Sequence, residues 1–278
     1  MSDLIETRGS SIIQHGHDND RVYLMKLHPD DFPHIVDQLD KLATSRGYSK
    51  IFAKVPRRNM DRFVAGGYEL EASIPAFFPD GDAACFMGKY FTAARREEPK
   101  PQLVKEVLTA SGAQGPIRQL VPLPSGCSAR VAREEDAVEM AEVYREVFAT
   151  YPFPIHDPEF LKTAMSGSTV FFGIWKEGKI IALSSAEMDL ASRSVEMTDF
   201  ATLLEYRGHG LALNLLQQME ETVHSRGIRS LFTIARAYSF GMNITFARDG
   251  YSLGGTLTNN TNISGSLESM NVWYKTLS

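Results

Sequence analysis

Cysteine is nearly missing, with two in 278 residues, Cys85 and Cys127. That excludes a disulfide framework and a zinc site built from thiolates. Long apolar runs are missing as well. A run such as VFFGIW at 170–175 has the length of a buried strand and falls far short of the ~18–20 residues a membrane helix needs. The first residues, MSDLIETRGS, carry acids and polar groups where a secretory signal needs a basic start and an apolar stretch. There is no basic excess either: 29 Lys and Arg stand against 34 Asp and Glu, a net charge of −5. A general nucleic-acid surface is therefore not expected. These absences point to a cytoplasmic, reduced protein with neither nucleic acid nor membrane as partner. Sequons at Asn243, Asn259 and Asn262 carry no meaning without secretion.

What is present suffices for a real core, with 43% hydrophobic and 10% aromatic residues. The length suits about two domains. The charged, proline-broken RREEPKPQ and the proline-rich VPLPSGCS bracket an expected linker at 96–127, with one short amphipathic helix at Leu103–Ala110. This divides the chain into an N-terminal α/β block, 1–95, and a main domain, 128–278.

The main domain opens on a helix whose first turn is acidic (Glu134, Glu135, Asp136), with Val138, Ala141, Val143, Val147 and Phe148 at apolar spacing. The prolines of YPFPIHDP, 151–158, demand a loop. TVFFGIW and IIALSSAEMD read as antiparallel strands around the turn KEGK, followed by a third strand, VEMTDFATL. Alternation puts Glu196 and Asp199 on opposite faces of that strand. Ala212, Leu215, Leu216, Met219 and Val223 form an amphipathic stripe that ends at Arg226-Gly227. A strand (IRSLFTIA), a short helix (MNITFARDGY), an Asn-rich loop (NNTNISG) and a last strand (SMNVWYKTL) follow. The order β-β-β-α-β-α-β predicts a mixed α/β sheet.

The N-terminal block echoes this pattern. Ser45-Arg46-Gly47 before Ile51-Phe52 matches Ser225-Arg226-Gly227 before Leu231-Phe232. Phe63 and Gly67-Tyr68 match Phe246 and Gly250-Tyr251 at the same internal spacing. The block is expected to be a degenerate or half copy of the main fold. It would either cover the acceptor site or form a homodimer contact.

RGHGLA, 207–212, lies between a strand and a helix. Such a junction offers free backbone N–H groups and the positive end of a helix dipole, which together hold phosphate. Gly208 and Gly210 remove Cβ atoms there, and Arg207 adds charge. No GxxxxGK[ST] occurs, so this is no P-loop, and no first-strand GxGxxG argues for a dinucleotide fold.

The arrangement instead resembles the acetyl-CoA loop of the GNAT superfamily of N-acetyltransferases, Arg/Gln-x-x-Gly-x-Gly/Ala, with Arg207, Gly210 and Ala212 in those places. The resemblance covers Ser128 to Ser278, including VEMTDFATLLEYRG before the loop and FARDGY after it. TDFAT, TIARA, GMN, NNTNISG and ESMNVWYK further resemble the β-lysine N-acetyltransferases. It implies a GNAT-like, largely antiparallel mixed sheet flanked by helices, α/β (α+β) in class. It also implies acetyl-CoA as co-substrate, and an acetyl group moved to a small primary amine, with β-lysine favoured and an osmolyte, N6-acetyl-β-lysine, as product. The alternatives are a polyamine or another diamino acid as acceptor, or a non-catalytic acyl-CoA sensor.

By the same resemblance, acetyl-CoA lies in a V between two strands. Its pyrophosphate sits on the amides of Arg207, Gly208, His209, Gly210, Leu211 and Ala212, and its pantetheine along Phe200, Ala201 and Thr202. Glu196 is expected as general base. Asp199 is second choice, or a ligand for the substrate ammonium, and both reach one site only through a β-bulge. Two places depart from the family. Phe246 stands where a tyrosine usually protonates the leaving thiolate, so that either Tyr238, Tyr251 or Tyr274 substitutes or the low-pKa thiol leaves unaided, and Ser239 stands for a cofactor-contacting Asn, with Asn243 nearby. Acceptor-pocket candidates are Tyr151, Asn259, Asn260, Asn262 and Glu268. His15-Gly16-His17 lacks the acids or cysteines of a metal site and reads as an exposed arm, so no metal is expected. Arg57-Arg58 and Arg95-Arg96 read as solvated surface, Trp175 and Trp273 as core.

Overall fold

The computed structural model describes residues 3–117 and 119–277. Its first half carries β1 (Leu4–Arg8), β2 (Ser11–Gly16), β3 (Arg21–Lys26), α1 (Ile35–Arg46), β4 (Lys50–Pro56), α2 (Met60–Ala65), β5 (Glu69–Ile74) and β6 (Ala84–Tyr90). Helices α3 (Ala93–Arg96) and α4 (Pro101–Gly112) follow. The second half holds β7 (Cys127–Val131), α5 (Ala137–Val147), α6 (Pro158–Met165), β8 (Thr169–Lys176), β9 (Lys179–Asp189) and β10 (Ser194–Thr202). It closes with α7 (Leu211–Ser225), β11 (Ser230–Arg236), α8 (Phe240–Arg248), β12 (Ser252–Ile263) and β13 (Ser266–Thr276). No helix among the described residues is long and apolar enough to cross a membrane.

All strands join one sheet in the order β1-β2-β3-β4-β6-β5-β12-β13-β11-β10-β9-β8-β7. Read outward from the β5–β12 seam, the order is the same in both directions until β7 is added at one edge. Two pairs are parallel, β3 with β4 and β10 with β11, and the other pairings are antiparallel. Parallel neighbours need a crossover, and α1 and α7 supply it at matching places. Each ends at a left-handed glycine, Gly47 at φ 69° and Gly227 at φ 80°, where other residues would be strained. The echoed aromatics also match. Phe63 packs edge-on against Tyr68 at 5.1 Å, as Phe246 does against Tyr251 at 5.1 Å.

The seam depends on absent side chains. A Cβ on Gly255 (φ 146°) would stand 2.2 Å from the carbonyl oxygen of Glu71, and one on Gly254 would stand 2.8 Å from that of Ser73. Around the seam one apolar cluster draws Tyr23, Phe52 and Phe86 from the first half together with Phe232, Leu257 and Met270 from the second. The stretch expected as a linker is partly folded, with α4 lying against α8 and the chain at Val121 bonded to Asn214 and Gln217 of α7.

Four readings need correction. The Asn-rich stretch is not a loop: it ends the long strand β12, with Asn259 absorbing an irregularity at φ 45°. Pairing to β13 outweighs the turn preference of asparagine. His15 is no exposed arm. It is buried in β2 with Nδ1 3.0 Å from Tyr48 Oη. Arg95 is also buried, its guanidinium donating to the carbonyl of Asn19 and to Ser49 Oγ. Strand β7 joins the sheet edge where no strand was expected.

Candidate active site

Strands β10 and β11 pair only from Ser194–Glu196 to Ser230–Phe232 and then part. On its other side β10 slips register against β9 between Thr198 and Ala201, with Asp199 at φ 55°. This is the bulge that lets carboxylates three residues apart share a side. Glu196 and Asp199 accordingly line one cleft, together with Glu187 of β9, with about 940 Å³ of empty space.

The three acids are not equivalent. Asp199 accepts from Tyr151 Oη on one oxygen and from Ser185 Oγ on the other, both at 2.5 Å. Burial raises its pKa, and these two bonds oppose the rise. Burial likewise raises Glu187 well above the carboxylate range, with Asp199 and Glu196 adding repulsion. The Glu196 carboxylate has no hydrogen-bond partner among the described residues. Burial pushes its pKa up to about 7, against the pull of the Lys54 ammonium. Lys54 itself is pushed down by burial and sits 4.9 Å from the centre of the Phe232 ring. A carboxylate near 7 that no neighbour occupies is suited to take a proton at neutral pH.

A second cleft, with about 1310 Å³ of empty space, runs along Thr202, Arg207, Gly208, Gly210, Leu211 and Ala212 to Ser239. Gly208 (φ 80°) and Gly210 (φ 75°) shape the turn, and α7 starts with no side-chain cap. Its first N–H groups are therefore free for an anion. No atom lies within 4 Å of where a Cβ on Gly208 would be, so the cradle is open. Arg207 donates through Nε to the carbonyl of Thr202 at 3.1 Å, which fixes its side chain at the loop. These residues fit a pyrophosphate. Phe148, Phe200, Arg236 and Met242 wall both clefts, so the loop and the acids belong to one continuous site.

Several expected contacts lie elsewhere. Ala201 packs into the core, leaving only its main chain for a ligand. His209 is exposed beside the loop, its ring 3.2 Å from the carbonyl of Tyr206. Asn243 is fully buried. Its amide donates to the carbonyls of Arg236 and Ser239, and its oxygen accepts from Asn271 and Trp273. It staples β11, α8 and β13 and has nothing left for a cofactor. Of the acceptor candidates, Tyr151 and Asn260 line the acidic cleft; Asn259, Asn262 and Glu268 do not. Asn259 Nδ2 donates to main-chain oxygens of Ala94, Arg95 and Glu97. Asn262 Nδ2 donates to the carbonyl of Asp18. Glu268 is spent on a two-pronged pair with Arg236 at 2.7 and 2.9 Å.

The first half supplies what was missed: Arg21, Tyr23, Met25 and Phe52 stand in the wall of the acidic cleft. Nothing in their local sequence marks them, because only the folded sheet brings β3 and β4 beside the site. Glu187 did carry a signal, an acid set inside the strand IIALSSAEM of β9.

A family model described as the acetyltransferase (GNAT) family matches residues 138–242. The chain is 39% identical over 275 residues to a β-lysine N(6)-acetyltransferase of Methanococcus maripaludis, covering 99% of either chain. It is 34% identical over 246 residues to the N-acetyltransferase YodP of Bacillus subtilis, covering 84% of this chain and 89% of that one. Against a β-lysine N(6)-acetyltransferase of Methanosarcina mazei it is 29% identical over 267 residues, or 88% and 98% of the two chains.

Proposed function

The chain belongs to the GNAT family of N-acetyltransferases, and from that premise we propose that it acetylates the terminal amine of β-lysine, with acetyl-CoA as donor. The observation that carries this reading is the bulge in β10. It sets an unoccupied acid, Glu196, in a cleft that shares its walls with a phosphate-binding loop. Two relatives whose matches cover 99% and 88% of this chain bear the β-lysine name. Acetyl-CoA supplies the activated carbonyl. The amides of 207–212 hold its pyrophosphate, and the open strand edge at Phe200–Thr202 guides its arm.

A side-chain ammonium of pKa ~10.4 costs about 4–5 kcal/mol to present as free base at neutral pH. Glu196 takes that proton, while Asp199, held by Tyr151 and Ser185, orients the ammonium beforehand. Phe246, in the wall of the acidic cleft, fills the place of the family's tyrosine; Tyr238, Tyr251 and Tyr274 line neither cleft. The low-pKa thiolate accordingly leaves without a protein acid, and the second proton shed by the attacking nitrogen reaches it through solvent.

Acetylation removes one positive charge from β-lysine and leaves a net-neutral zwitterion, suited to a compatible solute. The cytosol, where thiols stay reduced, goes with this reading. The first half is, by the same reading, a degenerate copy that lost the loop and walls the acceptor cleft. The test is mass-spectrometric detection of product from purified protein, acetyl-CoA and a panel of β-lysine, lysine, spermidine and a peptide. Turnover of β-lysine above the others is expected. Preference for another amine overturns the acceptor, and no turnover at all overturns the catalytic assignment.

A further inference from the structure

Arg21, in β3, is 4% exposed and carries a charge that no carboxylate pairs among the described residues. Its Nη1 donates to the carbonyl of Asn260 and, at 3.1 Å, to Thr261 Oγ1. Its Nε is buried with no partner at all. Asn260, 1% exposed, is in the same condition with opposite polarity: its Oδ1 is buried and accepts from nothing. Buried donors and acceptors without partners are rare in folded proteins and ask for an explanation. Both residues stand in the wall of the acidic cleft, and the guanidinium lies 5.3 Å from the Tyr23 ring centre and 5.7 Å from that of Phe52. Burial lowers Arg21 to about 10, so it remains a cation at neutral pH.

An orphaned cationic donor beside an orphaned acceptor complements a carboxylate beside an ammonium. We propose that Arg21 and Asn260 are the head-group subsite of the acceptor. Arg21 Nε takes the carboxylate, Asn260 Oδ1 takes the ammonium near it, and the far amine is left to Glu196. This rests on the amino-acid acceptor reading above and adds how that class is selected. A polyamine would bring a cation toward Arg21 and leave Nε unsatisfied, so the subsite rejects simple amines as well as binding amino acids. The first half thus contributes to specificity through Arg21, with Asn260 of β12 completing the subsite.

The wild-type enzyme tests this without mutation, by comparing β-lysine, its methyl ester and 1,4-diaminopentane, which is β-lysine without its carboxylate. A loss of kcat/KM of about 100-fold is expected for both analogues, the scale set by removing one partner of a buried charged pair. Arg21→Met should then lower kcat/KM for β-lysine by a similar factor, mainly through KM. It should leave the diamine's value unchanged or raised and the acetyl-CoA KM unchanged. A misfolded variant would lose both substrates together, and the ester comparison stands apart from it. Equal turnover of ester and free acid by the wild-type enzyme overturns the subsite. Preference for a different diamino acid with the same ester penalty overturns the β-lysine assignment and upholds the subsite.

Discussion

In the second half, the turn from the first strand of the parallel pair to its helix reads RGHGLA, 207–212; in the first half, the corresponding turn, 27–34, reads LHPDDFPH. From β8 onward the second half runs the same series of strands and helices as the first from β1 to β6, in matching sheet order. The turns themselves do opposite things. Glycines and an uncapped helix start leave one open, in a form that suits an anion. Two prolines and two aspartates close the other, and Asp31 is spent on Ser10 and Ser11, whose hydrogen bonds hold its carboxyl below the usual range. On the function proposed above, the first half holds no cofactor, and the face of β3 and β4, which lines the acidic cleft, walls the acceptor. One scaffold thus serves two tasks, because the loops carry the chemistry and the strands carry the frame.

The largest effect should come from the acid that only the second half has. Glu196→Gln removes the proton acceptor and keeps the shape, so kcat should fall about 10²–10⁴-fold with acetyl-CoA affinity unchanged. The wild-type rate should also depend on pH in a definite sense. With Glu196 near 7, the carboxyl is protonated below that value and cannot accept, so kcat/KM should drop about tenfold per pH unit on the acid side. Glu196→Gln should abolish that limb. A variant with full activity and an unchanged profile would remove Glu196 from the mechanism.

The second half was largely readable from sequence because its signals are local. The apolar stripe of α7, the glycine loop and the alternation of β10 each lie within a dozen residues. Even the need for a bulge followed from the spacing of Glu196 and Asp199. What was not readable depends on distant partners. The Asn-rich stretch looks like a turn until Thr261, Asn262 and Ile263 pair with β13, and Arg95 looks like surface until Asn19 and Ser49 fold over it. Arg21 has no neighbour in sequence that hints at a ligand. Its meaning comes from Asn260, more than two hundred residues away.

Gly210→Glu sharpens the contrast between the two turns by making the open one acidic, like its counterpart. The new side chain would meet φ 75° and Val121 Cγ1 at 3.1 Å, and its charge would face the pyrophosphate. The dissociation constant for acetyl-CoA, read by calorimetry, should rise about 100-fold through lost dipole and backbone contacts. Amine binding should be little changed. Normal acetyl-CoA affinity would reject the loop.

The smallest effect tests the join between the halves. In Gly255→Ala the Cβ would stand 2.2 Å from the Glu71 oxygen and 2.7 Å from Ala72 Cα, both backbone atoms that cannot step aside. Strands β5 and β12 must then separate slightly, at a cost of about 2 kcal/mol, or a melting temperature lower by roughly 5 °C. Gly265→Ala is the control, because Gly265 sits at φ 87° with nothing within 4 Å and adds strain without a clash. Widening the seam moves the wall that the first half lends to the acceptor cleft and leaves the glycine loop, which the second half builds alone. The amine KM should therefore rise several-fold in Gly255→Ala while the acetyl-CoA KM stays put. If both constants rise together, the halves are coupled through more than the acceptor cleft, and the division of labour drawn between them fails.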